Sequence, residues 1–593
     1  MNVVKNCRGA VTLFLVIIFT ALLVLTGVLV DAARIMAAEN RVSATLASAA
    51  RSALAACHEG LSAEFGIYGS LVKSGDIEEY LRRNLKEEAG GFNMVRYEVL
   101  SVQTAAGASD SLENNETIKE QILQYVKYRV PLSTSENLLE RLAGCGLEGK
   151  AGFMESGRQA AAARARLKTE CAAINKRKEE IIVSLGDLRE APIGFAQKAA
   201  SALEELEEML DSRLMPLIKE YEDNVRAYNE KNGSPKEFLN EETALLRQKV
   251  DILRKQINQS AAALERIDSG RAGPPGVSGR HAPILDEYLA AFREMEGLVL
   301  ADLSVKPQVK HNGAGLSRVL DFIEKRLPLK KMRDNGIERE IPGEAEGEEG
   351  WSVFLTGAGR LEPQEINEGL AASEGERVSS YLRQLGQRTA DLALQGRDNF
   401  YLTWYIMDKC TYLTSATVRD HYFQKGEVEY IIGGNASELT NLLTVFRKIF
   451  FLRYAVNVLQ CFLESRITHP FFRLASALAG GIPPACTDVA RLYQGEEVPF
   501  YPELPGLKMK YSDYLRLFLL LQSEETRLDR IKQLMEVNMR EMRQEENFAL
   551  SAYRAACRAA AEVEINLWFI PALHLENFKS GKYRLKCETF VGY

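Results

Sequence analysis

One string in the sequence resembles a phosphate-binding loop, at residues 144–151 (GCGLEGKA). It has the spacing Gly-x-x-x-x-Gly-Lys, in which backbone N–H groups and the lysine hold the phosphates of a nucleotide. The motif needs a Ser or Thr hydroxyl for Mg²⁺ at the next position, where this chain has Ala151. Residues 138–142, just before the string, have a helical pattern, whereas the motif follows a strand. We therefore interpret residues 144–157 as a mobile glycine-rich joint.

Acidic and histidine residues form no catalytic or metal-binding pattern in the sequence. The carboxylate pairs Glu204–Glu205 and Glu207–Glu208 lie in a helical segment, where they are expected to be solvated charges. His421 and His469 lie near aromatic helices, without a Ser or Cys in a nucleophile turn nearby, so we expect packed or exposed histidines. We predict no catalytic, cofactor-binding or metal-binding residue and no enzymatic activity.

The cysteine spacing and the charge exclude further classes of site. The nine cysteines form no Cys-x-x-Cys pair, so no zinc or redox motif is predicted. If Cys7 is cytoplasmic, the other eight permit disulfides by number, while their irregular spacing equally suits buried free thiols. A net charge of −7 gives no footprint for nucleic acid. With 593 residues, 46% of them hydrophobic, the chain can fill real cores.

An uncharged apolar segment at residues 10–30 predicts a transmembrane helix. Fifteen of its 21 residues are Leu, Ile, Val or Phe. Such a run favours insertion by roughly 5–9 kcal/mol, and a helix of about 20 residues spans the hydrocarbon. A cleaved secretory signal is the alternative, but its apolar core is about 7–15 residues long with small residues close behind. The length and the flanking residues favour an uncleaved anchor.

Charges on either side of the segment predict its orientation. Lys5 and Arg8 precede it within a short tail, residues 1–9, and Asp31 and Arg34 follow it. Because positive charges stay in the cytoplasm, we expect a cytoplasmic N-terminus and an extracytoplasmic body at the cell membrane. The opposite orientation, with the body as a cytoplasmic scaffold, is opposed by the same two basic residues.

The helical pattern continues beyond the apolar segment, through residues 31–62. Ile35, Val42, Ala49 and Ala56 recur at heptad spacing, and no Pro or Gly appears until Gly60. One helix from Ala10 to about Cys57 would be roughly 70 Å long. Its Ala-rich outer half suits close packing against another helix.

The remaining chain predicts a predominantly helical α+β fold with a helical-hairpin insertion. The body comprises residues 63–143 and 284–593, separated by a coiled-coil-like insertion at 159–268 and a flexible linker at 269–283. We expect the insertion to be a dispensable arm, with Pro216 kinking or interrupting one of its helices. Its predicted apolar stripes are Leu167, Cys171, Ile174, Ile181 and Ile182; Leu203, Leu206, Leu210, Leu214 and Leu217; and Leu245, Val250, Leu253, Ile257 and Leu264.

Four predicted strands form a small antiparallel sheet, at residues 96–103, 427–432, 558–569 and 582–591. Predicted body helices cover residues 118–129, 315–326, 392–412 and 511–543, and another runs from Pro470 to Gly480. A further helix is capped by Asn435 or Ser437 and ends near residue 463. Residues 335–359 are expected to form an exposed loop.

Two strings flank the membrane segment: residues 8–14 (RGAVTLF) open the apolar helix and residues 31–34 (DAAR) follow it. In these strings the N-terminus resembles the pilin-like proteins of tight-adherence (Tad) pilus loci. The resemblance implies possible prepilin-type processing between Gly9 and Ala10. Type IV pilins carry a Glu five positions after the processing glycine, where this chain has Phe14. That departure argues against incorporation as a repeating filament subunit.

Three strings of the body are distinctive: residues 121–129 (QILQYVKYR), 428–434 (VEYIIGG) and 510–517 (KYSDYLRL). In these strings the body resembles an uncharacterised surface-protein family of Gram-positive bacteria found alongside such loci. The resemblance implies a non-catalytic, pseudopilin-like accessory component of a Tad-type pilus or secretion apparatus. Its implied partners are the lipid bilayer and other pilin-like or pilus-platform membrane proteins, with the oligomeric state left open. The alternative hypothesis is an anchored extracellular enzyme acting on the cell wall.

Overall fold

The fold is predominantly helical with a small antiparallel sheet, which confirms the predicted α+β class. A computed structural model of the chain describes residues 8–86, 95–105, 110–127, 144–187, 195–232, 239–270, 293–300, 368–394, 397–416, 421–423, 425–501, 507–545, 547–573 and 581–593, with isolated positions between these ranges. The predicted helix at 315–326 and loop at 335–359 lie outside the described residues. So does the linker at 269–283, apart from its first two positions.

The predicted N-terminal rod is one continuous helix, α1 (Arg8–Ala55), of 48 residues. Its first part exposes apolar side chains, and its second part buries one face. The buried residues recur every three or four positions and are Ala38, Val42, Leu46, Ala49, Ala50 and Leu54. This Ala-rich face packs against α2 (Ser74–Lys86) and also against the protein's own sheet, which the sequence pattern did not indicate. A left-handed Gly66 ends the turn after α1, as a tight exit turn requires.

Three of the four predicted strands are present and form an antiparallel sheet in the order β1-β4-β5. Their bounds are β1 (Tyr97–Ala105), β4 (Ala556–Asn566) and β5 (Lys582–Gly592). Alternate β4 residues, Cys557, Ala559, Ala561, Val563 and Ile565, are buried and face the core that includes α1. Their small side chains near the middle of the strand suit the close approach of a helix. A separate pair, β2 (Val498–Pro499) and β3 (Lys508–Met509), forms a two-residue ladder.

The fourth predicted strand, at residues 427–432, is wrong, because this segment is the helix α10 (Glu427–Gly433). All six side chains from Glu427 to Ile432 are buried, so burial gives no period that separates helix from strand. A left-handed Gly434 ends the helix, with φ at 74°. The β-branched residues favoured a strand, and surrounding tertiary packing overrides that preference.

The other body helices mostly follow the sequence prediction. They are α3 (Asn115–Lys127), α8 (Glu368–Leu394), α9 (Asp398–Lys409), α11 (Glu438–Glu464), α12 (Pro470–Gly480), α13 (Ile482–Tyr493), α14 (Tyr511–Leu521) and α15 (Glu524–Arg543). Ser437 caps α11 by accepting a hydrogen bond from the Thr440 N–H, as one of the two predicted alternatives. The single helices predicted at 392–412 and 511–543 are each divided. In the second, Ser523 caps a new helix through the Thr526 N–H.

The predicted insertion is a helical bundle, hereafter the arm. It contains α4 (Leu147–Asp187), α5 (Phe195–Glu208), α6 (Met215–Asn232) and α7 (Leu239–Gly270). The predicted stripes are buried or partly buried against each other, except that Leu246 is buried and Leu245 is exposed. A π-helical turn, Met209–Leu214, ends two residues before Pro216. It confirms the predicted interruption, because proline has no N–H for the regular ladder.

The predicted glycine joint at 144–157 is wrong from Leu147 onward, where α4 begins. Gly157 lies beside the Phe462 ring, where a Cβ would come within 2.9 Å of that ring. Lys150 lies over the Tyr501 ring, with its Nζ 4.0 Å from the ring centre. Gly157 therefore allows close packing of α4 against the body, and Lys150 has a structural contact there.

Candidate functional site

The main polar site on α1 lies at the end of its exposed apolar segment. Within the described residues, α1 is the one helix long and apolar enough to cross a membrane. Of the predicted boundary residues, Arg8 is the first residue of α1, and Lys5 lies outside the described part. Asp31 and Arg34 are both buried, although they follow an exposed apolar run. Gly9 and Ala10 lie in the first turn, and their predicted processing stays a prediction.

Asp31 holds a turn from the far end of the chain. Its carboxylate accepts hydrogen bonds from three consecutive backbone N–H groups, those of Trp568 at 3.0 Å, Phe569 at 2.7 Å and Ile570 at 2.8 Å. It also accepts one from Arg34 Nη1 at 3.0 Å. The three N–H groups lie at the start of a 3₁₀ turn (Ile570–Leu573), where the turn itself offers them no partner. A carboxylate is a strong acceptor for such groups.

Packing reinforces this polar contact on both sides of Asp31. The Arg34 guanidinium lies over the Trp568 ring, 3.8 Å from the ring centre. Phe569 lies against Gly27, where an added Cβ would be only 2.9 Å from the Cβ and Cγ atoms of Phe569. Glycine at position 27 is therefore required for this approach. We call Gly27, Asp31, Arg34 and residues 568–570 the boundary cluster.

The boundary cluster fastens the sheet to the apolar end of α1. The chain reaches it directly from β4, and Leu567 donates its N–H to Gly581 O at 2.8 Å to close the base of the β4–β5 connection. Sequence reasoning identified Asp31 and Arg34 only as flanking charges. It missed residues 568–570, which are 537 or more positions away. The available signal was an aromatic pair, Trp568–Phe569, at the end of the strand predicted at residues 558–569.

A second polar cluster lies inside the body around α10. The carboxylate of Glu427 is bonded to His421 Nδ1 at 2.7 Å and to Asn538 Nδ2 at 2.6 Å, and it also accepts the N–H of Thr411. All of these side chains are buried. The bonds tie α10 to the segment after α9 and to α15. His421 is thus a packed histidine, as expected.

Glu429, two residues along α10, is buried in the same region. Its Oε1 accepts hydrogen bonds from the Leu413 N–H and from the Tyr511 hydroxyl. Burial raises the pKa of Glu429 to about 8 despite these bonds. Perturbed carboxyl groups occur at active sites and also in structural networks. Here the surrounding partners are the protein's own backbone and side chains.

The other residues considered in the sequence analysis are His469, the carboxylate pairs of the arm and the cysteines. His469 caps α12 by accepting the Phe472 N–H. Of the carboxylate pairs on the arm, Glu204, Glu205 and Glu208 are exposed and Glu207 is partly exposed, which agrees with solvated charge. The eight described cysteines are free thiols, so the structure agrees with the second of the two alternatives. Six of them are buried, and Cys57 and Cys461 are partly exposed.

Fold and site together define a predominantly helical α+β chain with a long apolar N-terminal helix fastened to its body. A family of unknown function (DUF5702) matches this chain at residues 343–492 and 505–565. The match covers about a third of the chain, begins before α8, ends at the penultimate residue of β4, and omits α1 and the arm. No curated protein and no solved structure matches. The similarity of the C-terminal body to an uncharacterised family is thereby confirmed, while the Tad-type resemblance of the anchor stays a prediction.

Proposed function

We propose that this protein is a membrane-anchored, non-catalytic extracytoplasmic protein, a pseudopilin-like accessory component of a Tad-type pilus or secretion apparatus. The observation that carries the proposal is the construction of α1. Its first half exposes a continuous apolar surface, and its second half is packed into the body and fastened by Asp31. Because one continuous helix contains both halves, no hinge lies between the apolar segment and the body.

The anchor inserts with its N-terminus in the cytoplasm, and the body lies outside. An impermeant protease added to protoplasts should therefore degrade nearly all of the chain after Asp31, because the charge bias retains Lys5 and Arg8 inside. The measurement is an immunoblot with separate epitope tags at the two termini. A body that is protected in intact protoplasts and digested only after lysis would contradict the orientation and favour a cytoplasmic scaffold.

An accessory role suits the chain better than that of a repeating filament subunit. In type IV pilins, which this N-terminus resembles, a carboxylate five positions after the processing glycine pairs with the new amine of a subunit. Phe14 lies at that position, and an unpaired ammonium in an apolar bundle costs several kcal/mol. The arm also enlarges the body and obstructs regular stacking around a helical core. Few copies at a tip or base tolerate both features.

The stoichiometry of purified filaments tests this role. Surface filaments are sheared from cells and purified, and this chain is quantified against the small pilin by mass spectrometry. We expect trace amounts in the filaments, or retention with the membrane, because few copies are accommodated. Near-equimolar recovery along the filament would contradict the accessory role. If the protein stays with the membrane in cells that lack the small pilin, it belongs to the membrane apparatus rather than to the filament.

An anchored enzyme acting on the cell wall receives less support. The acidic and histidine side chains that lie together around α10, Glu427, His421 and Glu429, are buried and bonded to their own protein surroundings. A wall polymer would have to separate α10 from its neighbours to reach them. Hydrolysis of purified cell wall by the full chain, abolished by Glu427→Gln, would reverse this preference.

A further inference from the structure

The aromatic pair of the boundary cluster lies level with the outer end of the apolar segment. Phe569 is in contact with Gly27, which is three residues inside the segment at 10–30. At 1.5 Å per residue, this contact lies about 5 Å inside the end of the segment. Phe569 is nevertheless 47% exposed. The exposed part of this apolar ring is thus level with the hydrocarbon edge that α1 occupies when inserted.

Trp568 has the chemistry of a residue at the boundary between lipid and water. One face of its ring is covered by Arg34, and half of the side chain, 50%, remains exposed. Tryptophan is enriched at membrane interfaces because its ring is apolar while its indole N–H forms a hydrogen bond. The hydrogen bonds to Asp31 already hold the backbone of Trp568 and Phe569 in place. Entry into the interface would therefore cost no further backbone conformational entropy.

We propose that Trp568 and Phe569 form a second membrane contact beside α1, with Phe569 at the outer edge of the hydrocarbon and Trp568 among the lipid headgroups. The occupant of this surface is the lipid bilayer, and the proposal rests on the membrane anchoring proposed above. Continuity with the apolar surface of α1 is the reason for choosing lipid over a protein partner. Two contacts, one through the span and one beside it, fix the rotation and tilt of α1 and hence the direction in which the body projects.

The test uses the full chain in phosphatidylcholine–phosphatidylglycerol vesicles. The chain has three tryptophans, so Trp351→Phe combined with Trp404→Phe leaves Trp568 as the only one. Lipids brominated near the glycerol end or near the terminal methyl of the acyl chain quench its fluorescence according to depth. We expect strong quenching by the shallow bromine, weaker quenching by the deep one, and blue-shifted emission.

The matched control moves the tryptophan to the far end of the same strand pair. In this variant Trp568→Phe and Phe590→Trp are added, and Phe590 is 60% exposed. Its partner in the ladder is Arg558, whereas Lys582, next to the turn, pairs with Asn566. Position 590 is therefore eight strand residues, roughly 27 Å, from the end of the ladder next to which Trp568 lies. We expect no bromine-dependent quenching at position 590.

Equal quenching at positions 568 and 590, in protein that stays in the vesicles after alkaline carbonate washing, would overturn the second contact and leave the anchor intact. Release by carbonate would instead overturn the anchoring on which the inference rests. If the multiple variants do not fold, wild type is compared with Trp568→Phe alone. We then expect the shallow-bromine quenching of wild type to be lost, and its persistence would overturn the proposal.

Discussion

Replacing Asp31 with alanine should release the 568–570 turn from α1. The substitution removes the acceptor of three backbone N–H groups and the ion-pair partner of Arg34, all at a buried position. Removing one partner of a buried charged contact costs about 3–5 kcal/mol. Hydrogen exchange of the backbone amides in residues 567–573, measured by mass spectrometry on the full chain in nanodiscs, should accelerate by roughly a hundredfold or more, since about 1.4 kcal/mol corresponds to a factor of ten.

Two further variants separate the carboxylate from other effects. Asp31→Asn keeps an oxygen acceptor without the charge and should have an intermediate effect, because hydrogen bonds to neutral groups are weaker than those to charged groups. Glu39→Ala removes an exposed acidic side chain from the same helix and should leave exchange in the turn unchanged. Unchanged exchange in Asp31→Ala would mean that the packing of Phe569 on Gly27 holds the turn without the carboxylate.

The local elements of this chain follow from sequence periodicity. The buried face of α1 was visible as small and apolar residues at helical spacing, and β1 was visible as alternation. Ser437 is visible as a cap because its hydroxyl satisfies an N–H at the start of a helix. Each of these predictions depends on residues close together in the chain, where backbone geometry determines which side chains share a face.

The common sheet of β1, β4 and β5 was predicted, but the side-chain contacts between distant segments were not. The boundary cluster joins Asp31 to residues more than 500 positions later, and the sequence contains no period that connects them. The α10 segment was misassigned because its side chains are buried on all sides, so tertiary packing determines its structure. The helix α2 agrees with the predicted packing of the Ala-rich face of α1 against another helix, but the sheet that shares this face was not predicted, because small residues indicate close packing without identifying every partner.

The interval predicted for the arm was also too wide. An excision of residues 159–268 was expected to leave a folded body, but that interval contains Arg164, Tyr228 and Asn232. Arg473 in the body donates to the Tyr228 hydroxyl at 3.2 Å and to Asn232 Oδ1 at 2.7 Å. Tyr228 is fully buried in the main core. The base of the arm therefore completes the body, and the structure argues against the predicted dispensability of the whole interval.

Replacing Arg164 with alanine should destabilise the junction of arm and body. Arg164 is 1% exposed, and its guanidinium donates to Glu368 of α8 at 2.6 Å and to Glu242 of α7 at 2.9 Å. Burial raises the pKa of Glu242, but hydrogen bonds from His469 and Arg164 outweigh this and lower it to about 2. Without the Arg164 guanidinium, the carboxylates of Glu242 and Glu368 have less positive charge nearby to offset their repulsion. The expected loss is about 3–5 kcal/mol of unfolding free energy.

The matched control is Arg177→Ala, farther along the same helix. Arg177 is 38% exposed and pairs with Glu205 and Glu180, which are also exposed. Exposed pairs contribute about 0–1 kcal/mol, so this variant should unfold close to wild type. Thermal unfolding of the full chain in detergent, followed by circular dichroism, compares them. Adding Glu242→Gln to Arg164→Ala should recover part of the loss, because one of the opposed charges is removed. Equal midpoints for Arg164→Ala and Arg177→Ala would mean that apolar packing alone joins the arm to the body.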